Sequence, residues 1–398
     1  MNSGLKSKKI TILIPDGETW LAQPVVNCLA QQREVRIIMV SATKITPMRF
    51  SRFIANYCYF NSIDKNKHQD WVDLLTKIVR EEKVDVVLPI SLSGERLKTF
   101  LNSALKDNVA ISPLPPINAL EVCNNKGLFK LWLEDGNFNH PATVLVNSKN
   151  KADVNWNRLT FPVLAKPVLG TGGRGIQRYE TLEDLLHFLT SNSNELVIQS
   201  YIEGGDLVCN AFCLNGEVLA FTCQKPYGPK DSAFIPAANH EFVSNPAAFN
   251  LMVDFVKKMN WSGPINMDLR VDENDGKLHL LEVNPRFWWS VYSSCQAGIN
   301  FPWLACLVGL SEFNRRNGLN SVEQDLLENT LGKLEMKPIR HVKIPLAGKL
   351  FLNRVFLKRY RDLPYHYSAL DILMKDPVPK LGVFFSVLLQ RIKNNLMM

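Results

Sequence analysis

The loop Lys166-Pro167-Val168-Leu169-Gly170-Thr171-Gly172-Gly173-Arg174-Gly175 directly follows the apolar run FPVLA. Its closely spaced glycines let backbone N–H groups approach an anion without side-chain obstruction, and the lysine at the strand end adds positive charge. That chemistry suits a triphosphate. The loop is not a P-loop, because the lysine precedes the glycines and no GK[ST] opens a helix. Taken alone, it is also compatible with a mobile hairpin.

A second constellation runs from Asp268-Leu269-Arg270 through a turn at Glu273-Asn274-Asp275-Gly276 to Glu282-Val283-Asn284-Pro285-Arg286. Strand alternation places Asp268 and Arg270 on one face of the first strand, and Glu282 and Asn284 on one face of the second. Two carboxylates and an amide converging in this way are hard oxygen donors that suit magnesium completed by substrate phosphates. Arg270 and Arg286 would then clamp phosphate. The alternative is a surface hairpin with ordinary ion pairs, which the apolar run LHLLEVN disfavours because charges buried there need partners.

Two kinds of element must position these groups. KKITILI (8–14), VRIIMVS (35–41) and VDVVLPIS (84–91) read as strands, and helices are expected over Trp20–Gln32 and around Asp70–Glu82. Together they form a Rossmann-like parallel α/β unit without GxGxxG. ISPLPPINAL (111–120) marks a boundary. Beyond it, a helix carries Leu128, Phe129, Trp132 and Leu133 on one face, with Gly136 as terminator. FPVLAKPV, ELVIQSYI, LVCNAFCL, EVLAFTCQ and KLHLLEVN follow as strands with few intervening helices, an α+β pattern. After about Glu323 the chain becomes rich in Lys and Arg.

In this order the motifs resemble the ATP-grasp superfamily of carboxylate–amine and carboxylate–thiol ligases, over roughly residues 8–310. The helix start at Asn125-Lys126 leads into FKxxLxxGxxxxPxT over Phe129–Thr143. The glycine-rich loop comes next, then Gln199-Ser200-Tyr201-Ile202-Glu203-Gly204-Gly205-Asp206, and finally Glu282-x-Asn284-Pro285-Arg286. The resemblance implies a pre-ATP-grasp α/β domain at 1–112, a two-lobed ATP-grasp fold at 113–200 and 201–322, and a basic appendage at 323–398. It implies ATP and Mg²⁺, with Mn²⁺ as a substitute. Lys126 and Lys166 match the paired phosphate-binding lysines, while Gly170, Thr171, Gly172, Gly173 and Gly175 match the phosphate-covering loop. Gln199, Ser200, Tyr201 and Ile202 match the hinge beside adenine, and Asp206 the acidic position at the ribose. Asp268, Glu282 and Asn284 match the magnesium ligands. Arg270, Arg286 and Lys225 are the expected catalytic cations, stabilising charge on the transferred phosphoryl group.

The implied reaction converts a carboxylate to an acylphosphate with release of ADP, after which an amine displaces phosphate. An amino acid, a peptide or a sugar-linked precursor is the implied substrate class. Two alternatives stand beside this: a bicarbonate-using carboxylase or carbamoyl-phosphate-type enzyme, and a nucleotide-binding regulatory subunit without catalysis.

The 398 residues, 46% hydrophobic and 21% charged, exclude a disordered or collagen-like chain. A net charge of +8 favours anionic partners without implying nucleic acid. No CxxC pair or Cys/His cluster has zinc-ligand spacing, so a reduced cytoplasmic protein is expected. There is no signal-peptide pattern and no apolar run long enough to span a membrane. LFLNRVFLKRY (350–360) reads either as a basic amphipathic helix for a membrane surface or acidic carrier protein, or as a packed appendage. Small-molecule substrates are the expected partners, and a homodimer is left open.

Overall fold

The computed structural model describes residues 9–61, 68–147, 150–151, 153–170, 173–227, 239–319, 322–337, 339–341 and 375–379. The chain forms two compact units, Met1–Leu114 with Arg286–Met398, and the uninterrupted Pro115–Pro285. The first switch lies within the proline-rich stretch. Residues 286–322, which the sequence reading groups with the second lobe, cluster with the first unit instead. The reason is the helix Phe301–Arg316, which packs on Ala110–Ile111, Val86–Val87 and Ala22–Leu29. The stretches 350–360 and 381–392 lie outside the described residues.

The first unit carries a parallel sheet in the order Ile54–Tyr59, Val35–Ser41, Ile10–Ile14, Val86–Val87, Ala110–Ile111. Such a sheet is covered on both faces, so its inner strands are nearly continuous apolar runs. Ile12, Leu13 and Ile14 are fully buried accordingly. The edge strand Ile54–Tyr59 is only partly buried and lies in a segment that reads as polar. Strand order reverses between Ile10–Ile14 and Val86–Val87, the switch point at which such sheets leave a crevice. Asp16 closes that point by accepting from the N–H groups of Ile90 (3.0 Å) and Ser91 (2.6 Å). Burial pushes its carboxyl up to about 7 against these bonds.

The second unit holds two antiparallel sheets. The first runs Thr143–Val146, Leu196–Ser200, Val163–Pro167, Gln177–Tyr179. The helix Leu182–Ser191 covers it with Leu185 and Leu189. The strands of the second sheet belonging to this unit run Leu278–Asn284, Gly263–Asp272, Gly204–Leu214, Glu217–Pro226, His240–Phe242. One face of this sheet is apolar: Cys209, Ala211, Cys223, Ile265, Met267, Leu269, Leu280 and Val283 pack with Met252 and Phe255 of the helix Pro246–Lys258. The strand-rich reading did not include these two helices. Their start signals are ordinary: the Thr181 hydroxyl accepts from Asp184 N–H, and the Asn245 side chain from Ala248 N–H ahead of a proline at the first turn.

Alternation leaves the other face of the second sheet polar, with one irregularity that matters. Leu280 pairs with Leu269, but Glu282 pairs with Asp268, so Leu281 is the extra residue of a β-bulge. Leu278 and Leu280 point to the core, and strict alternation would send Glu282 there too. The bulge rotates Glu282 and Asn284 to the polar face instead.

Candidate active site

On that polar face the register sets Asp268 opposite Glu282 and Asn266 opposite Asn284. The sequence-predicted oxygen donors therefore share one patch. Two carboxylates and an amide oxygen form a hard donor set that fits Mg²⁺ when phosphate oxygens complete the shell. Among the described residues no three His, Cys, Asp or Glu side chains gather to hold a metal by themselves.

Lys166 comes from the first sheet, at the end of Val163–Pro167. Its Nζ donates to Gln199 Oε1 at 2.6 Å, and Gln199 Nε2 donates to Thr143 Oγ1 at 3.1 Å, which fixes the lysine across neighbouring strands. Burial lowers the Lys166 amine to about 8; Glu282 and Asp268 pull it up, and Lys126 pushes it down. Four groups from separate segments thus share one electrostatic environment. Lys126 sits at the first turn of Lys126–Asp135 because the Asn125 side chain caps that helix, accepting from Gly127 and Leu128 N–H. Its Nζ donates to Gly170 O at 2.9 Å, tying helix start to glycine loop. Gly175 (φ +78°) takes a backbone shape that a side chain would strain, and Gly173 does likewise. Thr171 and Gly172 lie outside the described residues. A cleft lined by Lys126, Lys166, Thr143, Gln199, Leu281 and Glu282 joins the two sheets.

The segment Gln199–Ile202, expected as a hinge, is tied into its neighbours. Ser200 N–H donates to Ala142 O and Tyr201 N–H to Pro162 O, so these two backbone donors are committed internally rather than to a base edge. Arg270 does not extend toward the carboxylates as a phosphate clamp. It is 8% exposed, and its guanidinium donates to Ile202 O (2.8 Å), to Tyr201 Oη (2.6 Å) and to Asp206. The Tyr201 ring has the Arg178 guanidinium 4.5 Å from its centroid and that of Arg270 at 4.9 Å. Asp206, expected at a ribose, is therefore paired with arginine. Nearby, Gly204 allows close strand approach: a Cβ there would lie 2.0 Å from Val271 O.

Lys225 sits elsewhere. Gln224 shares the polar face, so the next residue points the opposite way, and Lys225 pairs with Glu241 at 3.4 Å. Arg286 opens the other unit, where it donates to Phe287 O (3.0 Å) and lies 5.8 Å from the Trp20 ring centroid. Trp289 packs against Trp20 in that same unit, with ring centroids 5.5 Å apart and planes tilted by 35°. Two polar-face residues were not singled out from the sequence: Asn266 and Asn210. Period-two spacing from Asp268 along INMDLR marks Asn266, whereas nothing local marks Asn210. All eight cysteines are free, and the Sγ atoms of Cys209 and Cys223 lie 3.6 Å apart on the core face. Among the described residues no helix is long and apolar enough to cross a membrane.

A cleft between two antiparallel sheets, with a lysine from one near carboxylates on the other, is the arrangement of the ATP-grasp fold, here accompanied by a parallel α/β unit. Residues 192–326 match the family described as ATP-grasp in the biosynthetic pathway with Ter operon. The L-amino acid ligase from Bacillus licheniformis superposes with a TM-score of 0.59 at 18% identity, covering 86% of this chain and 81% of that one. The N5-carboxyaminoimidazole synthetase from Staphylococcus aureus gives 0.58 at 16% identity, with 89% and 97% covered. The D-alanine–D-alanine ligase from Bacillus anthracis, solved with ATP, gives 0.50 at 16% identity, with 78% and 100% covered.

Proposed function

We propose that this protein is an Mg²⁺-dependent, ADP-forming ligase that activates a carboxylate as its acylphosphate and joins it to an amine. The observation that carries this reading is the shared environment of Lys166, Glu282 and Asp268 in the cleft. Lys166 and Lys126 bind phosphate oxygens, and Gly170–Gly175 covers them. Asp268, Glu282 and Asn284 would hold the cation, which when bound neutralises phosphate charge and orients the transferred group. Arg270 holds the segment beside the nucleoside in place through Ile202 O and Tyr201 Oη. Arg286, two residues after Asn284, is the proposed partner of the acid substrate. Both structural relatives named as amino acid or D-alanine ligases fit an amino-acid-type acid as substrate.

The test is turnover of Mg-ATP with pooled carboxylates and hydroxylamine, which traps acylphosphates as hydroxamates, with Glu282→Gln in parallel. Hydroxamate and ADP from the wild type alone are expected. Bicarbonate alone driving ADP release would replace the reading with a carboxylase-type activity. Bound ATP with no hydroxamate or ADP from any pool would replace it with a binding subunit.

A further inference from the structure

The polar face of the second sheet carries more than the proposed cation ligands. Asn266 Nδ2 donates to Asn210 Oδ1 at 2.9 Å, which engages the oxygen end of the Asn210 amide. Among the described residues, Asn210 Nδ2 has no hydrogen-bond partner, and neither does Thr222 Oγ1. Asn210 and Thr222 are register partners on neighbouring strands, so their side chains stand next to each other on one face of the sheet. Both residues are 0% exposed. Buried polar atoms without partners are rare, because each forfeits its bonds to water and gains nothing in return. Here two stand together, where apolar side chains of similar shape would fill the space without that cost.

The pair has a definite chemical character. An amide NH₂ group only donates and a hydroxyl can donate beside it, so the partner that satisfies both is an oxygen with lone pairs, a carboxylate or a carbonyl. Its position is set by the register. Asn210 pairs with Asn266, which lies two residues from Asp268 on the same face of its strand. At the usual strand spacings the Cα atoms of Asn210 and Asp268 are about 8 Å apart, and those of Thr222 and Asp268 about 12 Å. A small extended acid spans such a gap, whereas a single carboxyl group does not. We propose that Asn210 and Thr222 form a second subsite for the acid substrate, binding a carboxylate or amide oxygen at the end remote from the carboxyl that is phosphorylated. This inference rests on the proposed function, and it narrows the substrate to an acid with two oxygen-bearing ends. An acid with only one leaves both donors unpaired, a loss that separates otherwise similar substrates.

The test is calorimetric titration of matched acids into the full chain with Mg²⁺ and saturating ADP, with hydroxamate formation and thermal unfolding followed in parallel. Succinate, glutarate, L-aspartate and L-glutamate are compared with butyrate, pentanoate, L-2-aminobutyrate and L-norvaline, in which a methyl group replaces the second carboxyl. The tightest two-ended acid is expected to bind about tenfold to a hundredfold more strongly than its one-ended match, the size of hydrogen bonds to a charged group. Thr222→Val removes a hydroxyl without removing a bond inside the protein. Its melting temperature should therefore hold or rise, while affinity for the two-ended acid falls about tenfold and affinities for its match and for ADP stay unchanged. Thr222→Ser restores the hydroxyl and the affinity. Asn210→Asp keeps an oxygen for Asn266 Nδ2 but sets a carboxylate against the ligand oxygen, and should cost more than Thr222→Val. Equal affinities within every matched pair, binding of none of the two-ended acids, or wild-type binding by Thr222→Val would overturn the inference; the last is the behaviour of a site that holds only a resident water. Should Thr222→Val fail to fold, Asn210→Asp decides on the same readings. Acids that bind with this preference but yield no hydroxamate with ATP would refute the proposed function and leave the subsite standing, a result distinct from these.

Discussion

The two units use strands to opposite ends. In the parallel sheet of the first unit, most side chains of Ile10–Ile14 and Val35–Ser41 are buried, and the buried carboxyl of Asp16 lies just beyond a strand end. In the second unit the sheet containing Gly263–Asp272 is apolar on one face and carries the carboxylates, amides and Arg270 on the other. A sheet covered twice can contribute chemistry only from its rim. One covered once can devote a whole face to it. Substitutions should therefore separate activity from stability in the second unit and not in the first.

The largest expected effect is Glu282→Gln, which should lower hydroxamate formation by about a thousandfold or more, comparable to removing a preorganised charge-stabilising group. Its melting temperature should stay near that of the wild type. Leu13→Ala should do the reverse, costing about 3 kcal/mol in denaturant unfolding by opening a cavity at a fully buried position. Full activity loss with intact stability in Leu13→Ala would break the contrast.

Two pH experiments sharpen it. Asp16 is raised in the folded state from 3.8 to about 7, so the folded protein holds more protons than the unfolded chain between those values. Stability should decline as pH rises through that window, and Asp16→Asn should flatten the decline. Lys166 should lose its proton above about pH 8. Nucleotide affinity should then fall with rising pH, by up to about tenfold per unit until the pKa of the complex is reached. Lys166→Arg should abolish that inflection. The smallest effect is Asn125→Ala, about 1 kcal/mol of stability from the lost cap, with weaker nucleotide binding because Lys126 is no longer fixed.

The same contrast explains what could be read from the sequence. The Lys166 loop and the Asp268–Asn284 hairpin were legible because alternation is a local rule and the motif order is long. The pairing of Arg270 with Asp206, Tyr201 and Ile202 was not, because it depends on strands over sixty residues apart coming into register. Lys225, expected as a catalytic cation from the resemblance alone, pairs with Glu241, because Gln224 takes the polar face and the next residue points the opposite way. The bulge at Leu281 shows the limit from the other side. Glu282 and Asn284 share a face as alternation requires, yet that this is the face of Asp268 follows from one inserted residue.

The first unit is made from both ends of the chain, with the second inserted between them. During synthesis the parallel sheet is complete long before Phe301–Arg316, which covers Ala110–Ile111 and Val86–Val87, leaves the ribosome. At roughly 5–20 residues per second that interval lasts about ten to forty seconds. The uninterrupted unit can reach its native form within it, while the nascent sheet waits with an apolar side uncovered. Chaperone dependence and translation-rate sensitivity should accordingly belong to the nucleotide-free unit rather than to the one that carries the chemistry.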